Sequence, residues 1–178
     1  HLPRIVDCRR EGDELDVVME YVEGETLEAL VGRLGATPDY AHELFPALCD
    51  AVGELHAGFA TAGEPASPVI HRDLKPSNII VSGVQYAPDA GMSFSSLVII
   101  DLGIARVWRD GADADTVKFG TRPYAPPEQY GFGQTSVRSD VYALGALLFF
   151  CLTGADPKPG RDMHEQCEMR GVPSSLTD

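Results

Sequence analysis

Between Val69 and Val81 the chain reads VIHRDLKPSNIIV: a His-Arg-Asp triplet, a Lys-Pro pair and an Asn set between two short apolar runs. The flanking Val and Ile residues favour strands, whereas the charged middle cannot be buried without partners. The segment is therefore expected to be an exposed working loop hung between two strands. A second apolar run, Leu97 to Ile100, ends directly on Asp101. Any fold for this chain must bring these short strands together and leave their charged ends accessible.

The remaining pattern alternates strands and helices. Arg4 to Val22 reads as two strands turned at EGDE, with Val17, Val18 and Met19 β-compatible, and Gly24 breaks the run. From Thr26 to Gly35, Leu27, Leu30, Val31 and Leu34 recur at helical spacing. A longer helix is predicted from about Asp39 to Ala57, with Leu44, Leu48, Val52, Leu55 and Phe59 as its apolar stripe. Pro46 interrupts it, and an interior proline costs roughly 3 kcal/mol, so a kink or a late start is expected. AGEPASP (Ala62 to Pro68) reads as loop, and SGVQYAPDAGMSFSS between the two later apolar runs as an extended hairpin loop. A polar, flexible stretch is expected between DLGIAR and GTRPYAPPEQY. A helix then runs from about Asp140 with Leu144, Leu147, Leu148 and Leu152 inward, and a short one spans Met163 to Met169. GFGQTS reads as a plain turn, and no internal repeat is present.

Composition limits the function classes. The 178 residues are 44% hydrophobic, enough for one domain, or for one large and one partial domain. The net charge of −13 argues against nucleic acid or an anionic membrane surface as the main partner. Cys8, Cys49, Cys151 and Cys167 form no CxxC pair, so free thiols are expected rather than a disulfide framework or a zinc site. The run from Val141 to Gly154 is too short to span a bilayer, and no signal peptide is visible. The chain begins at His1, which suggests a piece of something longer.

Phosphoryl transfer needs a carboxylate to orient and accept a hydroxyl proton, and oxygen ligands to hold magnesium on the phosphates. Asp73 suits the first role. Asn78 and Asp101 suit the second, as hard donors without thiol or imidazole competition. Lys75 can neutralise charge on the transferring group. HRDLKPSN resembles the protein-kinase catalytic loop, DLG sits where that family has D-F-G, and PPE sits where it has A-P-E. SDVYALG resembles the family's central buried helix, and VVMEYVEGETL its fifth strand and hinge. Five motifs in the family's order cover nearly the whole chain.

The resemblance implies an α+β, protein-kinase-like fold. Residues 1–22 would be the end of the N-lobe with the hinge, and residues 23–178 a truncated helical C-lobe. It implies ATP and Mg2+ as cofactors and Ser/Thr hydroxyls of proteins as acceptors, since Lys75-Pro76 is similar to the serine/threonine branch. The compact loops and the DLG variant resemble a bacterial kinase of that branch. Thr121 matches the threonine that contacts the catalytic Asp and Lys. Met19 would be the gatekeeper, the backbone of Glu20 and Val22 would hold adenine, and Ile80 would pack beneath the ring. Arg72 would meet a phosphorylated activation loop, with Thr116 the first phosphosite and Thr121 the second. His71 would be structural and pack on Leu102. Asp140 is either an N-cap alone or a cap that also anchors the catalytic loop. Glu128 is either a solvated acid or one half of a buried pair with an Arg of a later helix, for which no candidate stands in the expected place.

No G-x-G-x-x-G loop and no V-A-I-K lysine occurs in the 178 residues. They are expected upstream, so this segment alone is expected to bind ATP weakly and phosphorylate little. The open strand edge would be an aggregation hazard or be capped by the missing part, which is also where dimerisation would occur. A cytoplasmic location is expected, in a parent anchored, if at all, by a membrane segment outside this chain. Two other readings compete. A pseudokinase or scaffold has no need of Asp73, Asn78 and Asp101 together. A small-molecule phosphotransferase has no need of the peptide platform GTRPYAPPEQ.

Overall fold

The computed structural model describes residues 1–12, 14–61, 64–87, 89–107, 120–131 and 133–176. Strands β1 (Ile5–Glu11) and β2 (Glu14–Met19) pair antiparallel, from Ile5 opposite Met19 to Glu11 opposite Glu14. This is the hairpin that the EGDE turn predicts. Short β3 (Glu25–Thr26) leads into α1 (Leu27–Leu34). Thr26 caps α1 by accepting the Ala29 amide, and Gly35 ends it at φ +82°. A π-helical turn, Tyr40–Leu44, precedes α2 (Phe45–Ala57), and Pro46 lies in the first turn of α2. There its missing N–H is harmless. The late start is thus the observed solution.

Next come β4 (Phe59–Thr61), β5 (Glu64–Ser67) and β6 (Val69–Ile70), then a 3-10 turn Pro76–Asn78 and β7 (Ile79–Ser82). They are followed by β8 (Gln85–Ala87), β9 (Gly91–Ser93), β10 (Ser96–Ile99) and β11 (Arg106–Val107). After a 3-10 turn at Pro127–Tyr130, α3 (Val137–Thr153) and α4 (Met163–Met169) complete the order, with a last turn at Ser174–Leu176. β7 is the centre of a three-stranded antiparallel sheet, β10-β7-β3, while β6 pairs with β11. The core lies where α1, α2 and α3 meet that sheet: Leu27, Leu30, Leu48, Leu55, Ile79, Ile99 and Leu147 are fully buried. Each buried aliphatic side chain of this kind contributes about 1.5–3 kcal/mol.

Four expectations change. Phe59 does not extend the α2 stripe; Gly58 ends the helix and Phe59 is 57% exposed on β4. The Pro-rich AGEPASP segment contains β5, paired with β4, because neighbouring backbone supplies ladder partners that composition does not reveal. Helix α3 begins at Val137 rather than Asp140, since Ser136 and Ser139 form a capping box ahead of it. Leu144 and Leu147 are buried, but Leu148 and Leu152 are only half-buried and line a cleft with Met163 and Leu176. The polar stretch between DLGIAR and GTRPYAPPEQY lies mostly outside the described residues.

Two details position the segment that leads into β3. Gly24 sits at φ +147°, and a Cβ there would lie 2.7 Å from the Val81 carbonyl oxygen, so the chain crosses β7 at a distance only glycine allows. Ser82 Oγ donates to the Glu23 carbonyl beside it. At the amino end, Ile99 N donates to the His1 carbonyl at 2.9 Å, which adds the first residue to the β10 edge. The β1–β2 hairpin leaves Ile5, Val6 and Val18 exposed, as is Tyr21 just after it.

Candidate active site

The loop from His71 to Lys75 leaves β6 and returns through the 3-10 turn into β7, so both of its ends are fixed by strands. Its backbone is fastened from below. Asp140, fully buried on α3, accepts the His71 amide at 2.8 Å and the Arg72 amide at 2.9 Å. His56 Nε2 lies 2.9 Å from Asp140 Oδ2. The cap half of the Asp140 expectation is therefore wrong, because Ser136 caps α3; the anchoring half describes what the side chain touches. Arg72 and Asp101 have φ values of +69° and +66°, the two non-glycine positive values among the described residues. Side chains rarely adopt that region, and it persists where the surroundings enforce it.

His71 is completely buried. Its Nδ1 accepts the Asp73 amide at 3.3 Å, which puts the ring proton on Nε2, where it donates to the Ile100 carbonyl at 3.2 Å. Burial pushes its pKa below the ordinary value of 6.5, so the neutral ring is favoured. Its side-chain hydrogen-bond partner is thus Ile100, one residue before Asp101, and Leu102 is half-buried against the core. This bridge links the two acidic positions through one imidazole.

Asp73 is where the side chains converge. Thr121 Oγ1 donates to its Oδ1 at 2.9 Å, and Lys75 Nζ lies 2.6 Å from its Oδ2. Asn78 Nδ2 donates to the Asp73 carbonyl at 2.9 Å and to Oδ2 at 3.3 Å. A carboxylate offers about four lone-pair directions. Among the described residues three are used, which leaves one on Oδ1. Thr121 reaches Asp73 as expected; the lysine within reach of the same carboxylate is Lys75. Gln129 Nε2 donates to the Arg72 carbonyl at 2.7 Å, which ties the GTRPYAPPEQ segment to the loop. The Arg72 guanidinium donates to the Ile104 carbonyl at 2.5 Å.

Asn78 and Asp101 are brought together by backbone pairing, as Ile100 N donates to the Asn78 carbonyl at 2.9 Å. Among the described residues both Asn78 amide contacts are made through Nδ2, which leaves Oδ1 for a cation. Asp101 is exposed, with Oδ1 accepting the Gly103 amide at 3.2 Å. Two hard oxygen donors fit Mg2+, which takes one or two protein ligands and completes its shell with phosphate and water. No group of three or more His, Cys, Asp or Glu side chains could hold a metal among the described residues. Met19 and Glu20 are exposed at the end of β2, and Val22 and Ile80 are half-buried, with Ile80 on β7 opposite Thr26.

Some expected residues stand differently or cannot be placed. Glu128 accepts the Ser139 hydroxyl at 2.8 Å, so a serine on α3 is its hydrogen-bond donor here. Thr116 lies outside the described residues. Sequence reading missed His56, Gln129 and Ser139. His56 carries no local signal beyond its place in the last turn of α2, and Gln129 directly follows the expected PPE motif. Cys8 and Cys49 are exposed and Cys151 and Cys167 buried, all free.

The protein kinase domain family matches residues 1–175. This chain belongs to that family. It is 35% identical over 148 residues to the serine/threonine-protein kinase PknB of Mycobacterium tuberculosis (strain ATCC 25618 / H37Rv), covering 81% of this chain and 21% of that protein. It is 31% identical over 159 residues to serine/threonine-protein kinase A of Synechocystis, covering 88% of this chain and 29% of the relative. It is 32% identical over 161 residues to the serine/threonine-protein kinase pkn2 of Myxococcus xanthus, with 88% and 18% covered. The kinase domain chain thus spans less than a third of the length of these relatives. Among the described residues, no helix is long and apolar enough to cross a membrane.

Proposed function

We propose that this chain carries the catalytic loop of an ATP-dependent serine/threonine protein kinase. The observation that supports this best is Asp73. Its carboxylate is oriented by Thr121, Lys75 and Asn78, and among the described residues one lone pair on Oδ1 is left for a substrate hydroxyl. In this reading Asp73 orients that hydroxyl and takes its proton, an effect worth about 10²–10⁴-fold. Lys75 leaves Asp73 far enough to offset charge on the transferring phosphoryl group. Asn78 Oδ1 and Asp101 would hold Mg2+, which supplies charge neutralisation on the phosphate oxygens. The backbone of Glu20 and Val22 would grip adenine, with Met19 behind it and Ile80 beneath. Arg72 is proposed to meet a phosphorylated activation segment.

The named relatives are serine/threonine kinases, which supports Ser/Thr hydroxyls of proteins as acceptors. The 178-residue segment alone is proposed to be a weak kinase, because its sequence holds no glycine-rich loop or strand lysine to clamp the phosphates. The deciding experiment measures labelled phosphate transfer from ATP by the full-length parent protein and by its Asp73→Asn variant. Transfer that falls at least about 10²-fold with the fold intact supports the role. An Asp73→Asn parent with undiminished transfer, or an inactive wild-type parent, overturns the reading and leaves a binding scaffold in its place.

A further inference from the structure

The loop between α3 and α4 reaches back to the segment that carries Thr121. Tyr124 is buried, and its hydroxyl donates to Asp156 Oδ1 on that loop. We propose that Asp156 is a positioning residue for phosphate transfer, which acts through Tyr124 to hold Thr121 against Asp73. The inference rests on the kinase reading above and adds to it a residue outside the motifs that carry that reading.

Each link is a direct contact. Thr121 Oγ1 donates to Asp73 Oδ1 at 2.9 Å. The Thr121 carbonyl accepts the amides of Tyr124 and Ala125, both at 2.9 Å. Residues 121–125 therefore move as one turn, because shifting Tyr124 pulls on the carbonyl of the residue that bonds Asp73. The far post is also tied down. The Ala155 amide donates to Thr153 Oγ1 at 3.3 Å, and Pro157, next to Asp156, is buried with its φ fixed by the ring. Gln166, itself buried, accepts the Lys158 amide at 2.9 Å and donates to the Lys158 and Arg161 carbonyls, both at 3.3 Å. Asp156 thus stands between anchored points, so it restrains Tyr124 rather than following it.

Chemistry sets the strength. A phenol that donates to a carboxylate makes a charge-assisted hydrogen bond, roughly twice as strong as a neutral one. Burial, and after it the bond to Asp156, push the Tyr124 pKa above the ordinary phenol value of 10, so the hydroxyl keeps its proton and remains the donor. Asp156 is exposed, whereas Tyr124 is not. The two ends of the bond therefore differ in what removal does. Losing the phenol returns Asp156 to water, while losing the carboxylate leaves a buried hydroxyl without its acceptor. That asymmetry lets stability and positioning be read separately.

The test uses the full-length parent, with casein as the acceptor protein and initial rates taken well below the melting temperature of every variant. Asp156→Ala is expected to lower kcat about tenfold, as loss of one charge-assisted contact would. The KM for ATP should stay unchanged, because no link of the chain includes a residue proposed to grip the nucleotide. Asp156→Asn keeps an acceptor oxygen and should retain most of the rate. Tyr124→Phe should lower kcat as far as Asp156→Ala while melting closer to wild type, and the double variant should be no slower than either single one. The decisive background is Thr121→Val, which lacks the hydroxyl that reaches Asp73. There Asp156→Ala should still lower the melting temperature but leave the residual kcat unchanged, which a merely structural role would not do. If Asp156→Ala does not fold, Tyr124→Phe, which orphans no donor, takes its place in both backgrounds. If Thr121→Val is too slow to measure, the double variant and the Asp156→Asn rescue decide. Wild-type kcat in Asp156→Ala or Tyr124→Phe, an Asp156→Asn parent as slow as Asp156→Ala, additive losses in the double variant, or an undiminished effect in the Thr121→Val background each overturns the positioning role while leaving the kinase reading in place. An inactive wild-type parent overturns the kinase reading and the positioning role with it.

Discussion

Asp140 accepts the amide of Arg72 at 2.9 Å while Arg72 stands at φ +69°. A helix residue thereby holds the backbone of the His71–Lys75 loop in a conformation that a non-glycine residue rarely adopts alone. The same carboxylate accepts the His71 amide and contacts His56, so three donors converge on one buried acid. Asp140→Asn replaces one accepting oxygen with a donor and leaves a buried amide without a partner. The expected loss is about 1–3 kcal/mol of stability, with a fall in phosphate transfer by the parent. Thermal melts and transfer rates check it; an Asn variant equal to wild type in both would refute the anchoring role.

Gly120→Ala probes the contact between the segment after Gly120 and the His71–Lys75 loop. A Cβ at Gly120 would lie 2.6 Å from Gln129 Nε2 and 2.9 Å from Ala125 Cβ, at φ +109°. Gln129 cannot retreat without releasing the Arg72 carbonyl. The variant is expected to lose about 1–3 kcal/mol from backbone strain alone, and transfer should drop as Thr121 shifts from Asp73. An unchanged melting temperature together with unchanged kcat would show that the segment is looser than this geometry requires.

Much of this arrangement was legible before any coordinates. The ordered motifs located Asp73, Lys75, Asn78, Asp101 and Thr121 because each lies on a short run with a strong local pattern. Helix α1 was readable from end to end, since its cap, apolar spacing and terminal glycine all agree. Strand β5 was not, because a ladder formed with β4 depends on distant closure rather than composition. The start of α3 was misread for a different reason. A buried Asp near an apolar run resembles a cap, and only its partners 68 and 69 residues away reveal that it anchors another loop. His56 and Gln129 were invisible for the same cause: their function lies in contacts across the chain.

The neutral state of His71 predicts a pH dependence of stability. Burial lowers its pKa in the folded protein below 6.5, while the unfolded chain titrates at the ordinary value. Below pH 6.5 the unfolded state binds the extra proton first, so the unfolded state gains. The His71 contribution is complete above pH 6.5 and is lost as pH falls through the folded pKa. Protonation would also remove the Nδ1 lone pair that accepts the Asp73 amide. Melting temperature should therefore decline from pH 7.5 to 5.5, and His71→Gln should flatten part of that decline. Parallel curves for the two proteins would contradict a buried neutral His71.

Magnesium dependence separates the two acids. Asp101 is proposed as a metal ligand and Asp73 as the base, and they differ in what high magnesium can restore. Asp101→Asn keeps one weak oxygen donor of the original pair of carboxylate oxygens. Even residues that only support metal ligands are worth about 10–100-fold in affinity. The magnesium concentration for half-maximal transfer by the parent should thus rise at least about tenfold, with partial recovery at saturation. Asp73→Asn removes the acceptor for the hydroxyl proton but neither Asn78 Oδ1 nor Asp101. Its transfer should stay low at every magnesium concentration, and its half-saturation point should stay near that of wild type. Titrating magnesium against initial rates for the three proteins distinguishes the roles. An Asp101→Asn curve that overlies wild type would remove Asp101 from the metal site, and magnesium rescue of Asp73→Asn would exchange the assignments.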